Sequence, residues 1–286
     1  MSYDRTFQAP LMGQVPAGGW SLGDWTLSQH HFYDILGNTV HLGTGGRIPS
    51  ALQQSVVSRI MGDGVTAGFA PDNTVPTGAN NGFGIANYAE GAGAVAVGPN
   101  GDVFLVDTAY NRVRRIDGTG KIFTVAGSGT SACPGGSNPP NFNNSATDAT
   151  LSNVSGPTAL AIGADGSLYI GGTAERTVRK ATPLGNGKYS ISNFAGGSAN
   201  CGATVASTVE NVAATTATFK SITALAVGPD GSVYIADGDA YRVRRVDPAG
   251  IISTVAGNGT SGGPPRSAEG KLATSVSVAN VTDIAV

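Results

Sequence analysis

The chain has 286 residues, with 17 Lys and Arg against 19 Asp and Glu, a formal net charge of -2 and 13% charged residues, against roughly a quarter in an average soluble domain. That balance excludes a strongly basic, nucleic-acid-binding composition, and no apolar run approaches the roughly 18 to 20 residues of a membrane-crossing helix. The 43 glycines and 15 prolines stay below the Gly plus Pro content of low-complexity chains and predict many tight turns between short strands.

The N-terminal stretch, beginning MSYDRTFQAPLMGQ, has neither the basic nor the apolar region of a secretory leader. All three histidines, His30, His31 and His41, fall in the next stretch. A metal centre there would need carboxylates converging from elsewhere in the chain. The preferred reading makes the histidines strand residues of a first sheet, and no catalytic or metal-ligating set is assigned.

Further along, the chain repeats itself. AVAVGPNGDVFLVDTAYNRVRRIDGTGKIFTVAGSGT, starting at residue 94, returns as ALAIGADGSLYIGGTAERTVRKATPLGNGKYSISNFAGG from 159 and as ALAVGPDGSVYIADGDAYRVRRVDPAGIISTVAGNGT from 224. The turn glycines Gly101, Gly166 and Gly231 follow one another at intervals of 65 residues. Each copy carries four short apolar or β-branched runs, in the first copy Ala94 to Val97, Val103 to Val106, Arg112 to Ile116 and Ile122 to Val125. The first break in each is Asn-Gly or Asp-Gly, the dipeptides of tight hairpin turns. Four antiparallel strands per copy, stacked so that each sheet covers its neighbour, predict an all-β propeller.

The blades are predicted at about 25–64, 92–130, 158–197 and 223–260, within a propeller domain of 25–286. Residues 280–286, NVTDIAV, match the beginning of a further blade. An innermost strand without partners exposes its backbone, so the propeller is expected to be incomplete at its C-terminus and the chain to be a piece of a longer one.

Several repeat positions carry polar residues. Asp107 and Asp237 share one position, which is Gly172 in the middle copy; Arg114, Arg179 and Arg244 stand seven residues later. An Asp-to-Arg pair holding a strand end in register contributes about 0–1 kcal/mol if exposed, and the missing Asp reads as a sign that the pair is optional. The clusters Arg112, Arg114, Arg115 and Arg242, Arg244, Arg245 are the basis of an alternative in which a basic stripe binds RNA, disfavoured by the net charge of -2. Phe104, Tyr169 and Tyr234 share a second-strand position and are assigned to packing between blades.

The connections at about 65–90, 131–153, 198–220 and 261–279 fall on one face by the repeat geometry. Long loops of this kind are usually functional or disordered, so this face is the predicted contact surface, for a protein domain or a glycan. Cys133 and Cys201 occupy equivalent positions in two of these connections; a disulfide in an oxidising compartment and two free thiols both remain open.

The pattern GPxGxVYxADxxxxRVRRxDxxGxxxTVAGxG, present as GPNGDVFLVDTAYNRVRRIDGTGKIFTVAGSG and GPDGSVYIADGDAYRVRRVDPAGIISTVAGNG, resembles the NHL repeat. GWSLGDWTLSQHHFYDILGNTVHLGTGGR followed by VVSRIMGDG is similar to the lead-in of the NHL propeller in teneurins and bacterial YD (Rhs)-repeat proteins. The resemblance implies a normally six-bladed propeller followed by a shell of YD repeats, in a large secreted or cell-surface parent, and makes residues 1–24 the exit of a preceding module with its linker. It also implies a non-enzymatic module without a cofactor, contacting a protein partner or the parent's own shell in adhesion or toxin packing. The alternative within NHL-like propellers is a metal-dependent enzyme of lactonase type.

Overall fold

The computed structural model describes residues 31–33, 39–41, 71–75, 94–130, 145–146, 148–151, 154, 156–197, 208–262 and 269–286. The chain divides into two units, Met1–Ser58 and Arg59–Val286. In the first, β1 (His31–Tyr33) and β2 (Thr39–His41) form an antiparallel pair in which His31 lies opposite His41.

The second unit is built from the repeats. The second blade is the antiparallel sheet of β3 (Val95–Val97), β4 (Val103–Asp107), β5 (Arg112–Ile116) and β6 (Ile122–Ala126), paired in chain order. The third blade adds β7 (Ser145–Ala146) to β8 (Pro157–Ile162), β9 (Leu168–Gly172), β10 (Val178–Pro183) and β11 (Tyr189–Ala195). The fourth adds β12 (Val212–Ala213) to β13 (Ile222–Val227), β14 (Val233–Asp237), β15 (Arg242–Val246) and β16 (Ile251–Ala256). These are four-stranded antiparallel blades of a β-propeller, the third and fourth each extended by a short fifth strand.

The short additional strands were not foreseen. Each is a piece of the incoming connection laid along the blade's outer strand: β7 pairs with β11 and β12 with β16, and Thr74 makes the matching bridge to Ile122 of β6. They occupy donors and acceptors that an outer edge strand would leave open to another chain.

The first turn of each blade is the same. Gly101, Gly166 and Gly231 have φ of 82°, 77° and 81°, a left-handed conformation that costs glycine nothing. The turns close through amide bonds from Gly98 to the Asp102 carbonyl, Gly163 to Ser167 and Gly228 to Ser232.

The core lies between blades. Phe104, Val106 and Val113 of the second blade meet Leu160, Ile170 and Ile191 of the third. Val178 and Tyr169 of the third meet Ile222, Leu225 and Ile235 of the fourth. A strand presents alternate residues to opposite faces, so one blade supplies both interfaces, and Phe104 and Tyr169 serve the same purpose one interface apart.

A threonine hydroxyl crosses each of these junctions. Thr158 donates to the Ile222 carbonyl at 3.1 Å, and its repeat equivalent Thr223 donates to the carbonyl of Val281, in the stretch read as the start of a further blade. Residues 280–286 themselves carry no strand. Where the second blade has Gly93 at this position, Thr108 from the end of β4 supplies the bond, to Pro157 O at 2.7 Å. Ile222 is fully buried, so removing the donor strands an acceptor away from water. Thr158→Val is expected to lower stability by about 1–3 kcal/mol in urea denaturation; an unchanged midpoint contradicts the assignment.

Candidate functional site

Arg114, Arg179 and Arg244 come from one register of the third strand and are the largest fully buried side chains described. A buried charge is tolerated only with a partner. Arg114 lies 3.1 Å from Asp72 and 3.8 Å from Asp107. Arg244 lies 3.5 Å from Glu210 and donates to the Val209 carbonyl at 2.6 Å, with Asp237 adding a further favourable charge. Asp72 and Glu210 are equivalent residues of the incoming connections, and they also accept the hydroxyls of Thr124 and Thr254 on the outer strands.

The third blade changes the partner. Its sequence has Gly172 and Asn144 where the other blades have carboxylates, and Glu175 appears in the turn between β9 and β10, 3.8 Å from Arg179 with both side chains buried. The missing Asp is therefore no sign that the pair is dispensable: the carboxylate has moved along the chain. The value for an exposed pair does not apply to these side chains.

Burial raises the Asp107 carboxyl from its ordinary 3.8 to about 6, opposed by Arg114, by the Tyr110 amide and by Arg112. Asp237 is raised by burial too, against amide bonds from Ser221 and Lys220. Burial likewise pulls Arg114, Arg179 and Arg244 below the ordinary guanidinium range, and the nearby carboxylates oppose it.

The face that carries the connections has a repeated geometry. Short turns at Ala149–Leu151, Ala214–Thr216 and Ala273–Ser275 fold back over the ends of the fourth strands, where the amides of Gly127, Gly196 and Gly257 donate to the carbonyls of Ala149, Ala214 and Ala273. The Ala-Thr pair in each connection was the available signal, obscured by the variable sequence around it. Between turn and sheet lie two equivalent recesses, of about 360 Å³ in the second blade and about 480 Å³ in the fourth. Asp72, Arg112, Thr124 and Thr150 line one; Glu210, Arg242, Thr254 and Thr274 line the other.

Arg112 donates to the Ser128 carbonyl at 2.9 Å, and Arg242 to the Asn258 carbonyl at 3.1 Å. Each guanidinium lies against the glycine that follows, Gly129 or Gly259, where a Cβ would collide with it. The third blade has Thr177 in place of the arginine and Ser198 in place of the glycine, so the two residues change together within one chain.

The six clustered arginines do not form one stripe. Arg114 and Arg244 are buried, Arg112 and Arg242 bind carbonyls on the connection face, and Arg115 and Arg245 lie at the opposite, hairpin face, 3.5 Å from Asp102 and 3.0 Å from Asp230. Among the described residues no three His, Cys, Asp or Glu side chains gather as metal ligands. Cys133, Cys201 and His30 lie outside the described residues, as do most of the connections at 65–90 and 131–153 and residues 198–207 of the connection at 198–220.

Glu175→Ala is expected to cost about 3–5 kcal/mol by leaving a buried guanidinium without its carboxylate, and adding Arg179→Met should recover part of that loss; urea melts in which the double variant is no better than the single one refute this account. For Asp107 the folded state binds the proton more tightly than the unfolded chain, so stability from this group grows as pH falls from about 6 towards 3.8. The stability difference between the parent chain and Asp107→Asn should thus shift in favour of the parent chain on acidification through that window. A flat or opposite trend in melts across it counts against the assignment.

Comparison with known proteins finds similarity to teneurins. The family described as the teneurin NHL domain matches residues 125–247. Human Teneurin-1 is 29% identical over 279 residues, 93% of this chain and 9% of that protein. Zebrafish (Danio rerio) Teneurin-3 is 27% identical over 249 residues, 83% of this chain and 8% of that protein. The chain thus spans less than a tenth of the length of these relatives. A structural genomics protein of unknown function from Bacteroides thetaiotaomicron superposes with a TM-score of 0.45 at 20% identity, over 66% of this chain and 40% of the other.

Proposed function

We propose that this teneurin-like NHL-repeat propeller is a non-enzymatic contact module of a large secreted or cell-surface protein, and that it presents its connection face to another protein domain. The observation that carries the reading is the repeated recess of the second and fourth blades, where incoming connection, outgoing turn and outer strand meet around an arginine and a carboxylate. Polar, partly exposed side chains mounted on a hydrogen-bonded scaffold provide the positioned donors and acceptors of a wet protein interface.

The teneurin similarity supports a large extracellular parent, and a shell of YD repeats in that parent is the partner domain that fits the proposal. No helix among the described residues is long and apolar enough to cross a membrane.

Hydrogen exchange on this chain alone and within its parent protein tests the proposal. Protection gained at 148–151, 208–216 and 269–275 is the expected result. Protection confined to the hairpin turns around Asn100, Asp165 and Asp230, or none, overturns it.

A further inference from the structure

One hairpin departs from the repeat. The cross-strand partners Arg114 and Thr124, and likewise Arg244 and Thr254, are ten residues apart, whereas Arg179 and its partner Asn193 are fourteen apart. The four extra residues extend the β10–β11 hairpin, which closes through the Leu184 amide and the Lys188 carbonyl at 2.9 Å. Its tip reaches across to the second blade and walls off a cleft of about 470 Å³ on the hairpin face, opposite the connections. Departures from a repeat mark places where function has overridden local regularity.

The cleft has an apolar floor and a mixed rim. Tyr189, at the base of the extended hairpin, meets Phe104 edge to face with ring centroids 6.3 Å apart. Around them stand Arg115 and Lys188, and Asp102 and Asp165; the exposed Lys188 ammonium also donates to Asp148 at 3.2 Å, which leaves its remaining N–H groups for the cleft. Arg115 is held less closely than its counterpart in the fourth blade. Arg245 donates to Asp230 at 3.0 Å, whereas Arg115 stays 3.5 Å from Asp102, and its Nε is buried without a hydrogen bond. A buried donor left unused beside a cleft calls for a water or a ligand group.

These features select a ligand class. An anion would face two carboxylates and a cation would face an arginine and a lysine. Hydroxyl groups both donate and accept, so vicinal hydroxyls satisfy a rim of both signs, while the small exposed parts of Phe104 and Tyr189 add limited apolar contact. We propose that the cleft between the second and third blades is a binding site for a neutral saccharide unit, with Arg115 and Lys188 donating to its hydroxyls and Asp102 and Asp165 accepting from them. The proposal does not rest on the function proposed above, although the Lys188 bond to Asp148 lies beside the Ala149–Leu151 turn.

Saturation-transfer NMR on the full chain with methyl glucoside, methyl galactoside and methyl N-acetylglucosaminide tests it. Transfer to at least one neutral glycoside is expected. Binding should weaken roughly tenfold, the equivalent of about 1.4 kcal/mol, in Lys188→Ala and in Arg115→Gln. Lys188 is 62% exposed, so its variant keeps the test decisive if Arg115→Gln fails to fold. No transfer to any neutral glycoside, equal transfer in parent and Lys188→Ala, or amide shifts at the cleft with inorganic sulfate alone would each overturn the proposal, the last by making it an anion site.

Discussion

The arrangement of each blade depends on a guanidinium that the third strand carries away from water. Desolvating such a charge is expensive enough that a carboxylate has to follow it into the sheet. That requirement reaches beyond the strand. In the second and fourth blades the partner comes partly from the incoming connection, through Asp72 or Glu210, so the loop is fastened to the sheet by the charge the sheet has buried. The same carboxylates take the outer-strand threonines, which ties the edge of the blade to its interior. In the third blade a carboxylate partner is Glu175, from the turn joining the second and third strands.

Two faces of the propeller diverge from this starting point. On the connection face, Arg112 and Arg242 grip the backbone that leaves the fourth strand, and the Ala-Thr turns fold over it, so that recurrent hydrogen bonds hold loops of unrelated sequence. The hairpin face has Asp-anchored turns, with the Asp165 and Asp230 carboxylates accepting the amide and hydroxyl of Ser167 and Ser232. That face is regular except where the third blade's longer hairpin leans on the second. The blades are joined through apolar side chains and through a threonine hydroxyl at each junction, which lets the surface features vary without disturbing the stack.

Much of this was legible in the residues. Four runs of alternating apolar residues, broken by Asn-Gly or Asp-Gly at a constant interval, define hairpins whatever surrounds them, because turn conformation and strand period are local properties. The aromatic position of the second strand was equally readable, since Phe104 and Tyr169 recur at one place in a repeat that must pack against its neighbour. The acid partner of Arg179 was not readable in the same way. Aligned copies show Gly172 against Asp107 and Asp237 and suggest a loss, whereas Glu175 reaches the same guanidinium from a different backbone position. The edge strands β7 and β12 were also hidden, because Ser145–Ala146 and Val212–Ala213 have no period of their own and pair only because an outer strand offers open hydrogen bonds.

The sequence by itself therefore determined the all-β repeat, the approximate place of its strands, its turn chemistry and its teneurin-like character, all consequences of short-range backbone preference and of a pattern repeated often enough to be recognised. Tertiary structure alone decided which charges are buried, which carboxylate answers each arginine, and which irregular segment opens a cleft. Burial and ion pairing depend on distances between residues far apart in the chain. Arg114 is 42 residues from Asp72, and no local pattern specifies how near two such side chains come once the sheets have closed over them.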